Sequence, residues 1–414
     1  MTKQNSEYLL SLIIIGALFF IFGFITWLNG VLIPYLKISC ELNNFQSYFV
    51  TFAFYISYFV MALPSGLVLK KTGLKKGMAL GLYIMALGAL FFIPAAYTRN
   101  YMLFLTGLFV MGTGLTLLQT ASNPYITIIG PLESAAKRIS IMGIANKIAG
   151  ALAPLILAAV VLSGIEDLTK GLESMDELQK ITALNNLALK IIPPYIAILS
   201  ALTILGFLIR LSPLPDPKIE NCNPSDSGIN KKYLFHYPNV VFGFFALFLY
   251  VGVEVIAGDT VIQYAISQGY PMEQAKIFTS ITLLMMIVGY LAGITFIPKH
   301  IKQETALFIS GLLGVLLSAC IIGVSGKTSV VFVSLLGLAN ALVWPAIWPI
   351  ALKGLGKHTS LASSILIMAI AGGAILPLLY GKMADIFSTQ IAYTITIPCY
   401  ITIVIYARCF RNNN

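Results

Sequence analysis

Long apolar stretches separated by short polar segments dominate the chain. A helix that spans a bilayer needs about 20 mostly apolar residues, and runs of this kind recur along the whole sequence. They lie at about 9–36, 47–69, 77–97, 101–129, 139–163, 190–211, 238–265, 274–298, 304–325, 329–352, 360–384 and 389–408. This pattern predicts an all-α integral membrane protein with twelve transmembrane helices.

The composition supports this interpretation. Of the 414 residues, 58% are hydrophobic and only 10% are charged, whereas soluble domains carry about 25% charged residues. So few charges cannot cover the surface of a soluble protein. We therefore exclude a cytosolic enzyme, a disordered chain and a nucleic-acid-binding domain. The five Cys residues show no CxxC spacing, so we expect no disulfide framework and no metal site.

The basic residues predict the orientation of the chain in a bacterial cytoplasmic membrane. With the N-terminus inside, 17 of the 26 Lys and Arg residues fall in cytoplasmic segments. This asymmetry favours an even number of spans with both termini in the cytoplasm. The turn after the second span is predicted to lie at the cytoplasmic rim of a transport path, although its charges could serve only to set topology. Its basic residues are Lys70, Lys71, Lys75 and Lys76.

A proline-rich polar segment at 212–237 divides the chain into two halves of six spans each. We predict an N-terminal half at 1–211, a cytoplasmic linker at 212–237 and a C-terminal half at 238–414. The halves resemble each other: 149–154 in the fifth span and 372–377 in the eleventh both have small residues followed by a Pro. Two parallel six-span repeats describe the major facilitator fold, in which the substrate binds near the midplane between the halves.

Three charged residues are predicted to lie deep inside spans, where ionisable groups are costly and mark function by default. Glu254 and Asp259 are in the seventh span, and Lys147 is in the fifth. Either acid could bind a coupling proton or sodium ion, or could be a structural carboxylate. Lys147 needs an acidic partner, and the sequence leaves both acids open. Gln263 lies four residues after Asp259, on the same helical face.

Amides and tryptophans at helical spacing predict a polar cavity. In the fourth span Thr113, Thr116, Thr120 and Asn123 lie along one face, although each Thr hydroxyl could instead bond to its own helix. Indole rings beside amides suit a sugar, whose ring C–H groups pack on aromatic faces; plain helix packing is the alternative for the Trp pair. The candidate substrate-binding residues are Asn29, Gln119, Asn123, Gln263, Asn340, Trp344 and Trp348.

Four segments also carry a family resemblance. They are LNGVLIP at 28–34, QTASNPYIT at 119–127, YVGVE at 250–254 and NALVWP at 340–345. Through these motifs the chain resembles the fucose–galactose–glucose:cation symporters of the major facilitator superfamily along most of its length. Gln119 is similar to the glucose/galactose branch, because the fucose branch has Glu at this position.

The chain also departs from that family. The resemblance implies an Asp in the first span that takes part in proton coupling, and Gly30 stands there. The superfamily has an acid where this chain has Lys70, while Asp259 and Lys147 are additional. If transport is ion-coupled, we therefore expect the coupling site in the seventh span, and in the fifth if Lys147 takes part.

These observations predict a monomeric secondary transporter that imports a neutral hexose, such as glucose or galactose, by alternating access. The coupling group would be Asp259 with Glu254 and Lys147, and the cation H⁺ or Na⁺, with no other cofactor. An uncoupled sugar facilitator and an amphiphile or drug exporter are the alternatives, and the amides disfavour the exporter. A sugar sensor would need a signalling domain. We expect no enzymatic activity, since no nucleophile–base–orienter set is present.

Overall fold

The computed structural model describes residues 3–128, 135–212, 214, 237–297, 301–353 and 359–411, which contain helices and no strand. Twelve helical segments are long and apolar enough to cross a membrane, as predicted. We number them as spans 1 to 12: Tyr8–Ser39, Asn44–Thr72, Leu74–Thr98, Tyr101–Asn123, Ile141–Val161, Glu177–Leu211, Pro238–Asp259, Met272–Phe296, Gln303–Gly323, Lys327–Leu352, Ile365–Ile386 and Ile391–Phe410.

Several spans consist of more than one helix. Spans 3, 4, 5 and 9 are single α-helices: Leu74–Thr98, Tyr101–Ile128, Ala135–Val161 and Gln303–Gly323. The other α-helices are Lys3–Thr26 and Asn29–Ser39 in span 1, Asn44–Ser47 and Phe49–Thr72 in span 2, Glu177–Leu189 and Ile192–Leu211 in span 6, Pro238–Asp259 and Val261–Ser267 in and after span 7, Met272–Ala275 and Phe278–Phe296 in span 8, Lys327–Ala341 and Val343–Leu352 in span 10, Thr359–Met368 and Gly372–Ile386 in span 11, and Thr396–Arg411 in span 12.

Short polar segments start and stop these helices. Asn43 caps span 2: its side chain accepts from the backbone N–H of Gln46, whose side chain accepts from the N–H of Asn43 in return. Gly73, at φ 77°, makes the tight turn into span 3. A short helix, Ile165–Gly171, lies between spans 5 and 6.

Glycines allow helices to pack closely within each half. A Cβ at Gly88 in span 3 would lie 2.7 Å from the carbonyl oxygen of Gly107 in span 4. One at Gly337 in span 10 would lie 2.1 Å from the carbonyl oxygen of Thr282 in span 8. Both positions require glycine because a side chain would overlap the neighbouring backbone. Small residues serve the same purpose in membrane helices generally, where packing rather than the hydrophobic effect drives association.

The first and last described residues, Lys3 and Arg411, lie on one side of the bundle, because the described part of the chain has an even number of spans. We call this side the terminal face and the opposite side the far face. The basic turn lies at the terminal face, where Lys70, Lys71 and Lys76 are exposed. Lys75 is half-buried and donates a hydrogen bond to the carbonyl oxygen of Ser212 at the end of span 6. Nearly all of the predicted linker, 213 and 215–236, falls outside the described residues.

The two halves meet closely at the far face. The carboxylate of Asp385, at the end of span 11, accepts hydrogen bonds from the first turn of span 2. The donors are the backbone N–H of Asn44 at 3.1 Å, the side-chain amide of Asn44 at 2.6 Å and the backbone N–H of Phe45 at 2.7 Å. One turn further along span 2, the Tyr48 ring fills the space beside Gly381 of span 11. These contacts close the far face between spans 2 and 11.

Candidate functional site

An ion pair joins the two halves in the interior of the bundle. The ammonium Nζ of Lys147 in span 5 lies 2.8 Å from Oε1 of Glu254 in span 7. The two side chains are 11% and 12% exposed. Pairing in this way offsets much of the cost of placing either charge in a poorly hydrated region. The structure thus gives Lys147 the acidic partner that the sequence required and selects Glu254 over Asp259.

The second deep acid, Asp259, has no such partner. It is fully buried, and neither of its carboxylate oxygens has a hydrogen-bond partner among the described residues. Gln263 is 7% exposed, and its amide oxygen and nitrogen likewise have no partner. Buried polar groups are nearly always hydrogen-bonded, so a group of unpaired ones points to a bound species.

The helix breaks between Asp259 and Gln263. One α-helix ends at Asp259 and the next begins at Val261. Thr260, at the break, donates to the carbonyl oxygen of Ile256 and shares a 2.7 Å hydroxyl contact with Tyr393 of the following 3-10 helix Ile391–Ile395. The backbone of Thr260 keeps right-handed helical angles, φ −95° and ψ −18°, so Asp259 and Gln263 follow each other across an interruption of a single residue. The two side chains lie on either side of an anchored break.

Asn29 lies at a similar break in span 1, where the first helix ends at Thr26 and the second begins at Asn29. Its side chain is 1% exposed, and its amide nitrogen has no partner among the described residues. Next to it, a Cβ at Gly30 would lie 3.0 Å from Oγ1 of Thr279 and 3.3 Å from the carbonyl oxygen of Gly258. The breaks in spans 1 and 7 are therefore close to each other.

Aromatic residues form a stack along span 10. The rings of Trp344 and Trp348 lie 5.3 Å apart and nearly parallel, at 22°. Tyr250 of span 7 packs at a tilt against Trp344, with 6.4 Å between ring centroids. Both indoles are half-buried, so each keeps part of its surface exposed. One turn before them, Asn340 accepts a 2.7 Å hydrogen bond from the Tyr400 hydroxyl and keeps an unpaired amide nitrogen.

Span 4 carries two amides and, among the described residues, one hydroxyl without a partner on the predicted polar face. Thr116 and Thr120 donate back to the carbonyl oxygens of Gly112 and Thr116, the alternative that the sequence left open for them. Asn123 is exposed and Gln119 is half-buried. On this face, the hydroxyl of Thr113 has no hydrogen-bond partner among the described residues, and Gln119 and Asn123 contribute the amides.

The predicted site residues therefore fall at two depths. Gln119, Asn123, Trp344 and Trp348 lie in the half of their spans nearer the terminal face. Asp259 and Gln263 lie toward the far face, behind the closed contacts between the halves. Glu254 and Lys147 lie between these levels. Within the described residues, no group of His, Cys, Asp and Glu has the geometry to hold a metal ion.

Sequence reasoning missed one central residue. Trp27, two residues before Asn29, is 3% exposed and lies beneath the Lys147 ammonium, which is 4.8 Å from its ring centroid. A Cβ at Gly150 of span 5 or at Gly258 of span 7 would collide with the indole, at 2.4 Å and 2.2 Å. The only available signal was a Trp in the middle of a span.

Comparisons with known proteins agree with this architecture. A model of the Major Facilitator Superfamily matches residues 15–376. The chain is 33% identical over 412 residues to the glucose/galactose transporter of Brucella abortus, which covers 98% of this chain and 95% of that protein. It is 28% identical over 416 residues to the L-fucose-proton symporter of Escherichia coli, and the match covers 99% of this chain and 94% of that protein.

A solved structure agrees as well. The crystal structure of the transporter FucP in the outward conformation matches with a TM-score of 0.74 and 27% identity, covering 98% of this chain and 99% of that one. The chain belongs to the Major Facilitator Superfamily, a class of membrane transporters, and is not an enzyme. Within that class, its relatives confirm the resemblance to the fucose–galactose–glucose symporters that the motifs indicated.

Proposed function

We propose that this protein imports a neutral hexose, glucose or galactose, together with protons. The observation that carries the proposal is its 33% identity, across 98% of the chain, to a protein named as a glucose/galactose transporter. Gln119 supports the same choice. Its amide donates and accepts hydrogen bonds without charge, which suits the hydroxyl groups of a neutral sugar.

The sugar would bind between the amides of span 4 and the aromatic stack of span 10. The half-exposed faces of Trp344 and Trp348 offer an apolar platform for the C–H groups of a hexose ring. Gln119 and Asn123 lie at a matching depth in the opposite half, and Asn340 adds a buried amide nitrogen with no partner. Gln263 and Asn29, whose amides are also unpaired, would bind the deeper end of the sugar.

Asp259 would bind the coupling proton. An ionised carboxylate that is fully buried and unpaired is costly, whereas a protonated one is tolerated. Lys147 does not compensate it, because its ammonium pairs with Glu254. Gly30, which stands at the position of the family's coupling acid, abuts Gly258, the residue just before Asp259. A carboxyl group lost from span 1 would thus be replaced by one from span 7 in the same region.

The terminal face would be cytoplasmic and the far face would face the outside of a bacterial cytoplasmic membrane. The exposed lysines of the basic turn at the terminal face support this orientation. With the far face closed by Asp385 and Tyr48, the structure would represent an inward-facing state. Residues 1–211 and 238–414 would rock against each other around the central site, joined by a linker at 212–237, within a single chain.

Uptake of radiolabelled D-glucose and D-galactose into proteoliposomes tests the proposal, with pH and sodium gradients imposed separately. We expect accumulation above the equilibrium level only when the outside is more acidic. Accumulation driven by sodium alone would contradict proton coupling. Equilibration without accumulation under both gradients would identify a facilitator, which the loss of the span 1 acid at Gly30 favours as the second candidate. Failure to transport either sugar would overturn the hexose assignment.

A further inference from the structure

Trp27 occupies a cavity built by residues of both halves. A Cβ at Gly150 would lie 2.4 Å from Cδ1 of the indole, and a Cβ at Gly258 would lie 2.2 Å from Cζ3. The five-membered ring thus packs on span 5 and the six-membered ring on span 7. Leu283 and Met286 of span 8 complete the apolar surroundings. Trp27 belongs to the N-terminal half, but most of the residues that surround its indole belong to the C-terminal half, mainly to spans 7 and 8.

The ion pair is built on the same two helix faces. On span 5, Lys147 precedes Gly150 by three residues, and on span 7, Glu254 precedes Gly258 by four. Residues at these spacings are neighbours on one face of a helix. Each helix thus presents a charged group followed by a glycine, and the indole lies against both glycines and under the ammonium. The ring face attracts the cation and limits where it can move.

We propose that Trp27 is a positioning residue and the central plug of this transporter. It holds the Lys147 ammonium against Glu254, and it separates the central cavity from the buried Asp259, which follows Gly258 directly in the chain. Opening the far face requires the indole to leave Gly258, because the two residues belong to different halves. This inference rests on the proposed function, because that function assigns the sugar to the central region between the two halves. The position of Trp27 follows from its contacts with Gly150 and Gly258 alone.

Three substitutions separate this role from simple packing. Trp27→Phe keeps a ring face for the ammonium and fills most of the space. Trp27→Leu keeps an apolar side chain but removes the ring. Gly258→Ala leaves Trp27 in the chain but removes the space into which its six-membered ring fits. The matched control is Gly143→Ala in span 5, where an added Cβ meets no described atom within 4 Å.

The readouts are sugar uptake, with KM and maximal rate measured separately, and sugar-independent proton entry, reported by a pH-sensitive dye inside proteoliposomes. We expect Trp27→Leu to raise proton entry about fivefold or more, because the indole no longer blocks the path to Asp259. The maximal rate should fall about tenfold, because this path no longer closes between transport cycles. The KM should change less than about threefold, because the sugar contacts remain. Trp27→Phe and Gly143→Ala should stay within about twofold of the wild type, and Gly258→Ala should resemble Trp27→Leu.

Proton entry and maximal rate unchanged in Trp27→Leu would overturn the proposal. So would equal losses in Trp27→Phe and Trp27→Leu, because a general packing defect does not distinguish a ring from an aliphatic side chain of adequate size. Proton entry is measured without sugar, so it tests the plug even if neither hexose is transported. If the proposed function is wrong, the wild-type protein fails to take up either hexose. If the role of Trp27 is wrong, the wild-type protein takes up sugar but Trp27→Leu does not change proton entry.

Discussion

The ammonium of Lys147 and the carboxylate of Glu254 lie 2.8 Å apart and connect the first six spans to the last six. In this structure the pair bridges span 5 to span 7, while the packing of span 5 against the C-terminal half is mainly on span 8. Alternating access in this fold rocks the first six spans against the last six, so we expect the pairing to depend on conformation.

Removing either charge of this pair should destabilise the protein. Lys147→Met leaves the Glu254 carboxylate without its cation, and a broken buried pair costs about 3 kcal/mol. We expect a lower thermal unfolding midpoint in detergent and loss of uptake. The double substitution Lys147→Met with Glu254→Leu should recover most of the stability, because no uncompensated charge remains.

A surface pair provides the control for this measurement. Lys170 and Glu166 are 3.0 Å apart on the helix Ile165–Gly171, with side chains 70% and 34% exposed. Lys170→Met should change stability by less than about 0.5 kcal/mol, since water screens exposed pairs. Equal shifts in Lys147→Met and Lys170→Met would contradict the interior role assigned to the Lys147–Glu254 pair.

Asp259→Asn should separate sugar translocation from accumulation. The amide fits the same space but cannot take up and release the coupling proton. We expect energised, concentrative uptake to be lost while counterflow exchange of sugar continues at about the wild-type rate. The exposed acid Asp167 provides the control, and Asp167→Asn should accumulate sugar normally. Unchanged concentrative uptake in Asp259→Asn would show that another group couples transport to protons.

The sequence was sufficient to predict the spans, because the bilayer imposes one requirement on all of them. A run of about 20 apolar residues must be a helix, since no other local structure satisfies its backbone polar groups in lipid. The break at Thr260 was not predictable in this way. Thr260 contacts the hydroxyl of Tyr393, a residue that is distant in sequence and lies close only in the packed C-terminal half.

The site was predictable in its residue types but not in its pairings. Polar residues inside spans could be found one by one from their cost in a membrane. Whether Lys147 meets Glu254 or Asp259 depends on how span 5 is rotated against span 7, which the sequence does not specify. Trp27 was missed for a related reason, because its position depends on two glycines in other spans.

The aromatic stack gives a prediction about sugar affinity. Trp348→Ala removes one of two nearly parallel rings 5.3 Å apart, and we expect KM to rise about tenfold, the equivalent of about 1.4 kcal/mol. The maximal rate should change less, because the halves can still rock. Phe245→Ala, a large aromatic truncated on an exposed surface of span 7, is the control. If both variants raise KM equally, the stack does not bind the sugar.

The segment between spans 1 and 2 gives a prediction about pH. Lys180, 2.6 Å from Glu41, lowers the pKa of that carboxyl below its usual value of about 4.5, and Arg99 adds to the effect. A lowered pKa in the folded state contributes stability above about pH 4.5, and this contribution is lost as the pH falls through the lowered value. Glu41→Gln should therefore reduce the unfolding midpoint slightly at pH 7, and the reduction should become smaller as the pH falls below about 4.5.

The matching variant Lys180→Met should show the same dependence on pH, and adding Glu41→Gln to it should have little further effect at pH 7. These comparisons need only thermal unfolding of the detergent-solubilised protein, so they are independent of transport. A difference between Glu41→Gln and the wild type that stays constant from pH 7 to pH 3 would mean that the charge of Glu41 is not the cause, and would point to its backbone conformation, since its φ is 54°.

Asp385 should control how often the far face opens. Its carboxylate accepts three hydrogen bonds from Asn44 and Phe45 at the start of span 2, which places an anion at the N-terminal end of that span. Asp385→Ala should remove about 1 to 2 kcal/mol from the closed state, as loss of an N-terminal cap does. The open population then rises, and the apparent affinity for sugar supplied at the far face should increase about fivefold or more.

The measurement is the half-saturating sugar concentration in exchange experiments with the far face exposed to the medium. Lys382→Ala, an exposed position one turn earlier on the same helix, is the control and should leave that concentration unchanged. Asp385→Asn retains one acceptor oxygen and should fall between Asp385→Ala and the wild type. If Asp385→Ala instead raises the half-saturating concentration, the carboxylate stabilises the open state, and the contact between spans 2 and 11 does not hold the far face closed.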